Sequence, residues 1–319
     1  MFTRFFQLLS ALNRSRKEAK PSRFVRRRRF EVLASKYQCL VDAISSTENN
    51  LVKPAQIRCL QTLVLDADIQ EVCLFVSYAP RALIKPHVRH HINSLLGAGI
   101  AVVLVINVDD VHADLSSLNL EGLRLSGLYV RENKGFDFGA WAHLYSMMPA
   151  GLGLKRLYLV NDSMIGPLSK PMFDQLMHKI KSSTADMLGL IGNEKPVFHL
   201  QSFFLVFNQA ILMDERFQNF LKTLWSLPTK EMVIDFYEVR LTQLIKDFGY
   251  VAKPLYALDA DQHQKTDAVI HRLDELLEID FPYIKTSMAH RPQGKGILKQ
   301  YPCCDFQTEG LTASSSQAK

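Results

Sequence analysis

Apolar and polar positions change period near residue 70. Before it, Val32, Leu33, Tyr37, Leu40 and Ile44 recur at helical spacing, the signature of a helix with one apolar face. Phe2, Phe5, Phe6, Leu8, Leu9 and Leu12 trace a shorter amphipathic stretch ahead of them. From Glu71 onward, short unbroken apolar runs take over. Residues 72–76, 101–106, 123–130, 157–160, 187–191 and 203–207 read as buried strands. Residues 87–96, 138–147 and 172–180 read as helices between strands, the first stopped by Gly97 and Gly99. After Asn208 the pattern turns helical. Phe217, Phe220, Leu221 and Leu224 mark one amphipathic helix, and 238–248 another, stopped by Gly249. Beyond residue 282, Pro, Gly, Lys and Ser predict loop ending in a disordered tail. Strands alternating with helices predict an α/β chain. Its core, over 70–210, is Rossmann-like with a mostly parallel sheet, preceded by a helical N-terminal segment.

The chain has 319 residues, 47% hydrophobic and 22% charged, which is enough for a substantial core. Its net charge of +6 is concentrated near the N-terminus in Arg4, Arg14, Arg16, Lys17, Lys20, Arg23 and Arg26 to Arg29. An amphipathic stretch followed by such a run suits an anionic membrane surface, at about 1 kcal/mol per nearby basic residue; a solvated basic arm is the alternative. No binding module or interleaving of basic and aromatic residues points to nucleic acid. The front of the chain lacks the long apolar run and small-residue cleavage site of a signal peptide. No run is long enough to span a bilayer. Five cysteines, Cys39, Cys59, Cys73, Cys303 and Cys304, match neither a zinc site nor a disulfide framework. Together these features predict a cytoplasmic protein, peripheral on the inner face of the membrane if the arm binds lipid.

The richest chemistry lies at strand ends. The run 157–160 stops at Asn161-Asp162-Ser163, and Gly166-Pro167 breaks the chain before the next helix. Ligands of open α/β sheets bind beyond the carboxyl ends of strands. An aspartate there can hold a divalent metal and, through it, a diphosphate, or it can simply form a turn or cap a helix. Between the third strand and its helix runs Arg131-Glu132-Asn133-Lys134-Gly135-Phe136-Asp137-Phe138-Gly139. Its glycines allow close backbone approach, and Arg131 carries a fork of donors suited to phosphate. No GxGxxG follows the first strand, which disfavours a dinucleotide-redox enzyme. His87, His90 and His91 are spaced around a helix rather than on one face and read as surface positions.

Taken in order, Arg131-x-Asn133-x-Gly135-x-Asp137-x-Gly139-Ala140, Asn161-Asp162-Ser163-x-x-Gly166-Pro167, Ala185-Asp186-x-x-Gly189, His199-Leu200-Gln201-Ser202-x-Phe204 and Tyr237-Glu238-x-x-Leu241-Thr242 resemble the rhamnan synthesis F protein family. The resemblance covers about residues 70–290. That family comprises bacterial glycosyltransferases of surface polysaccharide assembly. The resemblance implies a GT-A-like domain over 71–290, flanked by the basic segment 1–70 and a loop and tail over 291–319. It also implies transfer of a sugar, rhamnose from a deoxythymidine-diphosphate donor, to a glycan or lipid-linked glycan acceptor. The nucleotide-binding set is then Ser77, Arg131, Asn133, Gly135, Asp137, Asn161, Asp162, Ser163, His199 and Gln201. Asp162 would bind Mg²⁺ or Mn²⁺, although this sequence has no literal Asp-x-Asp at that point. His199 would complete a metal shell or touch an acceptor hydroxyl, its alternative being a packing role. Inverting transfer needs a carboxylate base. Glu238, expected at a helix start, fills that role, with Asp235 as runner-up.

Overall fold

The computed structural model describes residues 55–66, 68–149, 152–258 and 267–301. The amphipathic stretch, the basic arm, the helical repeat through Ile44 and Cys303-Cys304 lie outside them. The described chain is a mixed α/β domain around one eight-stranded sheet.

The continuous apolar runs become strands because helices flank the sheet and leave little room for polar side chains. β1 is Ile57–Gln61, β2 Glu71–Tyr78, β3 Ala101–Val108, β4 Gly127–Glu132 and β5 Arg156–Asn161. β6 (Met164–Ile165), β7 (Met187–Gly189), β8 (Gly192–Asn193), β9 (His199–Leu200), β10 (Phe204–Asn208), β11 (Ala252–Pro254) and β12 (Ile284–Lys285) are shorter. The sheet order is β1-β4-β3-β2-β5-β10-β7-β11. β4, β3, β2 and β5 run parallel. β1 is antiparallel on the β4 edge, and β10 is antiparallel to both β5 and β7. β11 is parallel to β7.

Helix α1, Pro86–Gly97, joins β2 to β3 and buries Val88, Ile92 and Leu95 in one cluster with Cys73 and Phe75 of β2. Helix α2, Phe136–Met147, joins β4 to β5. Its buried Trp141 donates from Nε1 to the Leu74 carbonyl at 3.0 Å, fixing the helix against β2. Helix α3, Lys170–Ser182, starts at Ser169, whose side chain caps the Met172 amide. Burying one Val, Leu or Phe side chain contributes about 1.5–3 kcal/mol, so the core rests on these apolar runs.

Three expectations are corrected. Residues 57–61, placed in the helical N-terminal segment, form the edge strand β1. The region beyond 282 is folded through Tyr301: β12 pairs with β6, and the helix Pro292–Gln300 follows. Pro292 opens that helix instead of breaking it, since its missing N–H costs nothing in the first turn. Finally, Glu238 does not start a helix. Lys230–Val233, a π-helical turn Ile234–Glu238 and Val239–Asp247 run on continuously, and Glu238 closes the π turn.

Candidate functional site

β3 and β4 lie on one side of β2 and β5 on the other, so the strand order reverses between β2 and β5. A crevice opens at the carboxyl ends of such a pair. Register sets Val76 opposite Asn161, which leaves Ser77 and Asp162 just beyond the shared edge. The Oδ2 atom of Asp162 accepts from Ser77 Oγ at 2.8 Å, the Tyr78 amide at 3.0 Å and Lys85 Nζ at 2.8 Å. The Asp162 carbonyl lies 3.1 Å from His87 Nε2. Burial, the largest cause, holds the His87 ring below the ordinary histidine value, against the opposing charge of Asp162.

Asn161 donates from Nδ2 to Asp137 Oδ2 at 2.8 Å. Its Oδ1 accepts the Ser163 amide at 3.1 Å and the Ser163 hydroxyl at 2.7 Å. Asp137 stands in the first turn of α2, where the helix end favours a negative charge. Burial nevertheless pushes its carboxyl up to about 6, helped by the charges of Asp162 and Glu238 and opposed by Lys230 and the Asn161 bond. The three carboxylates therefore share one electrostatic neighbourhood.

Gly135 caps α2 with φ of 70°, a left-handed backbone that glycine adopts at little cost. Asn133 Oδ1 accepts from Asn107 Nδ2 at 3.1 Å. The Oδ1 atom of Asn107 is buried without a hydrogen-bond partner among the described residues, as is Gln201 Oε1. Arg131 is turned inward. Its guanidinium donates to the Glu132 carbonyl at 2.8 Å, the Lys134 carbonyl at 2.9 Å and His143 Nδ1 at 3.3 Å. It is 1% exposed, and burial lowers it to about 10. In this arrangement Arg131 shapes the 132–134 loop rather than presenting donors to a phosphate.

Glu238, whose charge also reaches Asp137, accepts at Oε2 from the Ser202 amide at 3.1 Å and from the Ser202 hydroxyl. His199 Nε2 lies 3.9 Å from Glu238 Oε1, and its Nδ1 meets the Val197 carbonyl at 2.8 Å. His199 is buried as the first residue of β9. Gln201 donates to Asp267 Oδ1 at 3.2 Å, and Asp267 pairs with Lys285 of β12. β12 is tied to the site where the Thr286 amide donates to the Ser163 carbonyl at 2.9 Å. Asp235 lies in the π turn, three residues before Glu238.

The histidines of α1 are not surface residues. His87 and His91 are 2% and 1% exposed. His90 Nε2 meets the Pro167 carbonyl at 2.8 Å, and His91 Nε2 meets the Tyr283 hydroxyl at 2.9 Å. All three grip the segment after β5 or its neighbour. Their angular spread around α1 was legible; the loop curling over that helix was not. Lys85, Asp267 and Lys285 also escape sequence reasoning, because each reaches its partner from a distant segment.

At Asp162 Oδ2 the donor set does not fit a divalent ion. One carboxylate oxygen already takes three hydrogen bonds, one from an ammonium. Among the described residues, no three His, Cys, Asp or Glu side chains are grouped to hold a metal. Nor is any described helix long and apolar enough to cross a membrane.

Residues 102–301 match the family described as rhamnan synthesis protein F. The chain belongs to that family. The rhamnan synthesis protein F match starts inside β3 and runs through the helix Pro292–Gln300, so it takes in Arg131, Asp137, Asp162, Glu238 and Lys285. Membership connects the chain with polysaccharide synthesis. A protein of Sinorhizobium fredii described as uncharacterized protein y4gN is 28% identical over 192 residues, 59% of this chain and 49% of that protein. The chain thus spans about half the length of the curated relative it matches.

Proposed function

We propose that this protein is a nucleotide-sugar glycosyltransferase of cell-surface polysaccharide synthesis, with a GT-A-like core and an inverting mechanism. The observation that carries the reading is the carboxylate cluster at the strand-order reversal. Asp162 is set by Ser77, Tyr78 and Lys85 beyond β2 and β5, Glu238 is anchored by Ser202, and the charges of both act on Asp137. The family supplies the polysaccharide context.

In this reading the donor's diphosphate lies over the ends of β2 and β5. Ser163 and the Asn133–Gly135 loop line its approach. Glu238 takes the proton of the acceptor hydroxyl as its oxygen bonds to the sugar's anomeric carbon. The bond from that carbon to the diphosphate breaks, and a nucleoside diphosphate leaves. Ser202 fixes one carboxylate oxygen and leaves the other for the acceptor. His199, 3.9 Å from that second oxygen, positions it. The acceptor is a glycan or lipid-linked glycan, and the basic arm at 14–29 holds the enzyme on the inner face of the membrane.

The test is transfer from a panel of nucleotide sugars, led by deoxythymidine-diphosphate rhamnose, to an oligorhamnan acceptor. Nucleoside diphosphate release and chain extension are followed together. Wild type extends the acceptor, and Asp162→Asn folds but does not. A panel in which no donor is consumed removes the reading.

A further inference from the structure

Three elements converge on Asp162. β2 contributes Ser77 and the Tyr78 amide, β5 leads directly into the aspartate, and α1 begins immediately after Lys85. Pro86 at the first helical position holds Lys85 in extended backbone at the helix entrance. The Lys85 ammonium sits 2.8 Å from Asp162 Oδ2, with the two side chains 24% and 16% exposed, so the pair is half-buried yet open to the crevice. From the same helix, His87 meets the Asp162 carbonyl.

This is the place where a metal would have to bind. A divalent ion on Oδ2 would displace hydrogen bonds and face a fixed ammonium. Mg²⁺ in particular keeps near-ideal octahedral geometry and several waters. An ammonium carries three donors and binds phosphate as a point charge. Among the described residues, Lys85 spends one of its donors on Asp162.

We infer that Lys85 is the resident cation of this site: Asp162 holds its ammonium in the crevice, and that ammonium binds the diphosphate of the donor without a divalent metal. The inference rests on the reading under Proposed function and names what neutralises its leaving group. Asp162 becomes a positioning residue for Lys85 rather than a metal ligand.

The experiment uses the full chain and two readouts. Calorimetric titration with dTDP, UDP and inorganic pyrophosphate is run in EDTA and in Mg²⁺, and Mn²⁺ is titrated by its electron paramagnetic resonance signal with and without dTDP. A nucleoside diphosphate should bind equally in EDTA and Mg²⁺, while the protein takes up no Mn²⁺ beyond what dTDP alone complexes. Lys85→Met should weaken binding about tenfold or more, the order expected for a lost charge-assisted hydrogen bond. Lys85→Arg should retain most of it, and thermal melts confirm that both variants fold. Binding that is lost in EDTA and restored by Mg²⁺ overturns the inference. So does Mn²⁺ uptake by the wild type that disappears in Asp162→Asn, and either result leaves the glycosyltransferase reading standing. Failure of all three diphosphates to bind under any condition overturns both.

Discussion

The Asn161 side-chain amide donates to Asp137 at 2.8 Å and joins the strand-end loop to the first turn of α2. The same side chain accepts twice from Ser163. One asparagine thereby orients a carboxyl on one side and a hydroxyl on the other. An aspartate at position 161 could accept from Ser163 but would set two negative charges against each other. Asn161→Asp should therefore lose donor binding and about 1–3 kcal/mol of stability near neutral pH, with the stability loss shrinking in acid as the new pair shares a proton. Chemical denaturation at two pH values measures this; an equal loss at both would show that repulsion is not the cause.

Asp137 gives the fold a pH signature. Its carboxyl is raised to about 6 in the folded state, chiefly by burial. Between the ordinary aspartate value and about 6, the folded chain holds more protons than the unfolded one. Stability from this group therefore falls as pH rises through that window. At about 1.4 kcal/mol per pKa unit the ceiling is on the order of 3 kcal/mol, discounted because the side chain keeps some solvent contact. His91, held down to about 3 by burial, acts in the opposite sense. The unfolded chain binds the extra proton there, so its contribution is lost as pH falls from the ordinary histidine value toward 3. The two slopes oppose each other, and only the difference between variants is diagnostic. Asp137→Asn should be more stable than wild type at pH 7–8 and converge with it near pH 4. Parallel curves would refute the assignment.

Arg131 separates a shaping role from a binding one. Each of its three nitrogens donates to a group in the chain. Removing them leaves two loop carbonyls and a cavity, so Arg131→Met should cost about 2–4 kcal/mol. The fraction that remains folded should bind a nucleoside diphosphate only a few-fold more weakly than wild type. A variant of native stability with abolished binding would return Arg131 to the phosphate.

How much of this was legible follows from what each contact depends on. The runs around Val76, Val105 and Val160 announce strands because a sheet covered by helices needs unbroken apolar residues. Asn161-Asp162-Ser163 announces a site because polar residues at a strand end mark the crevice. Strand direction was hidden: Phe204 is equally buried in a parallel or an antiparallel neighbour. The π turn left no periodic trace, so Glu238 looked like a helix start. Lys85 and Asp162 are 77 positions apart, and Lys285 reaches Asp267 through a strand of two residues. No local pattern reports such pairs. Arg131 was misleading for a simpler reason, since the same fork of donors satisfies carbonyls and phosphates alike.

Gly166 controls how the strand-end loop leaves the site. Its φ is 151°, and a Cβ there would meet the Pro282 carbonyl at 2.4 Å and the Tyr283 ring at 2.5 Å. Those are neighbours of β12, which carries Lys285. Gly166→Ala forces the two segments apart and should cost about 2–4 kcal/mol. The displacement begins three residues after Ser163, so donor affinity should fall together with the melting temperature. An alanine variant with native melting behaviour would show that the segment from Pro282 yields freely.

Glu238 is the group on which the chemistry turns. Ser202 holds Oε2 through its amide and hydroxyl, while Oε1 faces His199. Glu238→Gln can keep an acceptor oxygen toward Ser202 and lose only basicity. General-base catalysis contributes about 10²–10⁴-fold, so the transfer rate should fall by that order. The dissociation constant for a nucleoside diphosphate should stay within a few-fold. Asp235→Asn, changed earlier in the π turn, should cost much less. Ser202→Ala frees the carboxylate to rotate and should lower the rate by a smaller factor with the same sparing of donor affinity. The measurements are a transfer rate and a nucleoside diphosphate affinity for each variant. Near-normal turnover in Glu238→Gln with a collapse in Asp235→Asn exchanges the two roles. Loss of donor affinity in both moves them into the nucleotide pocket and leaves Asp137, with its carboxyl raised to about 6, as the base to test next.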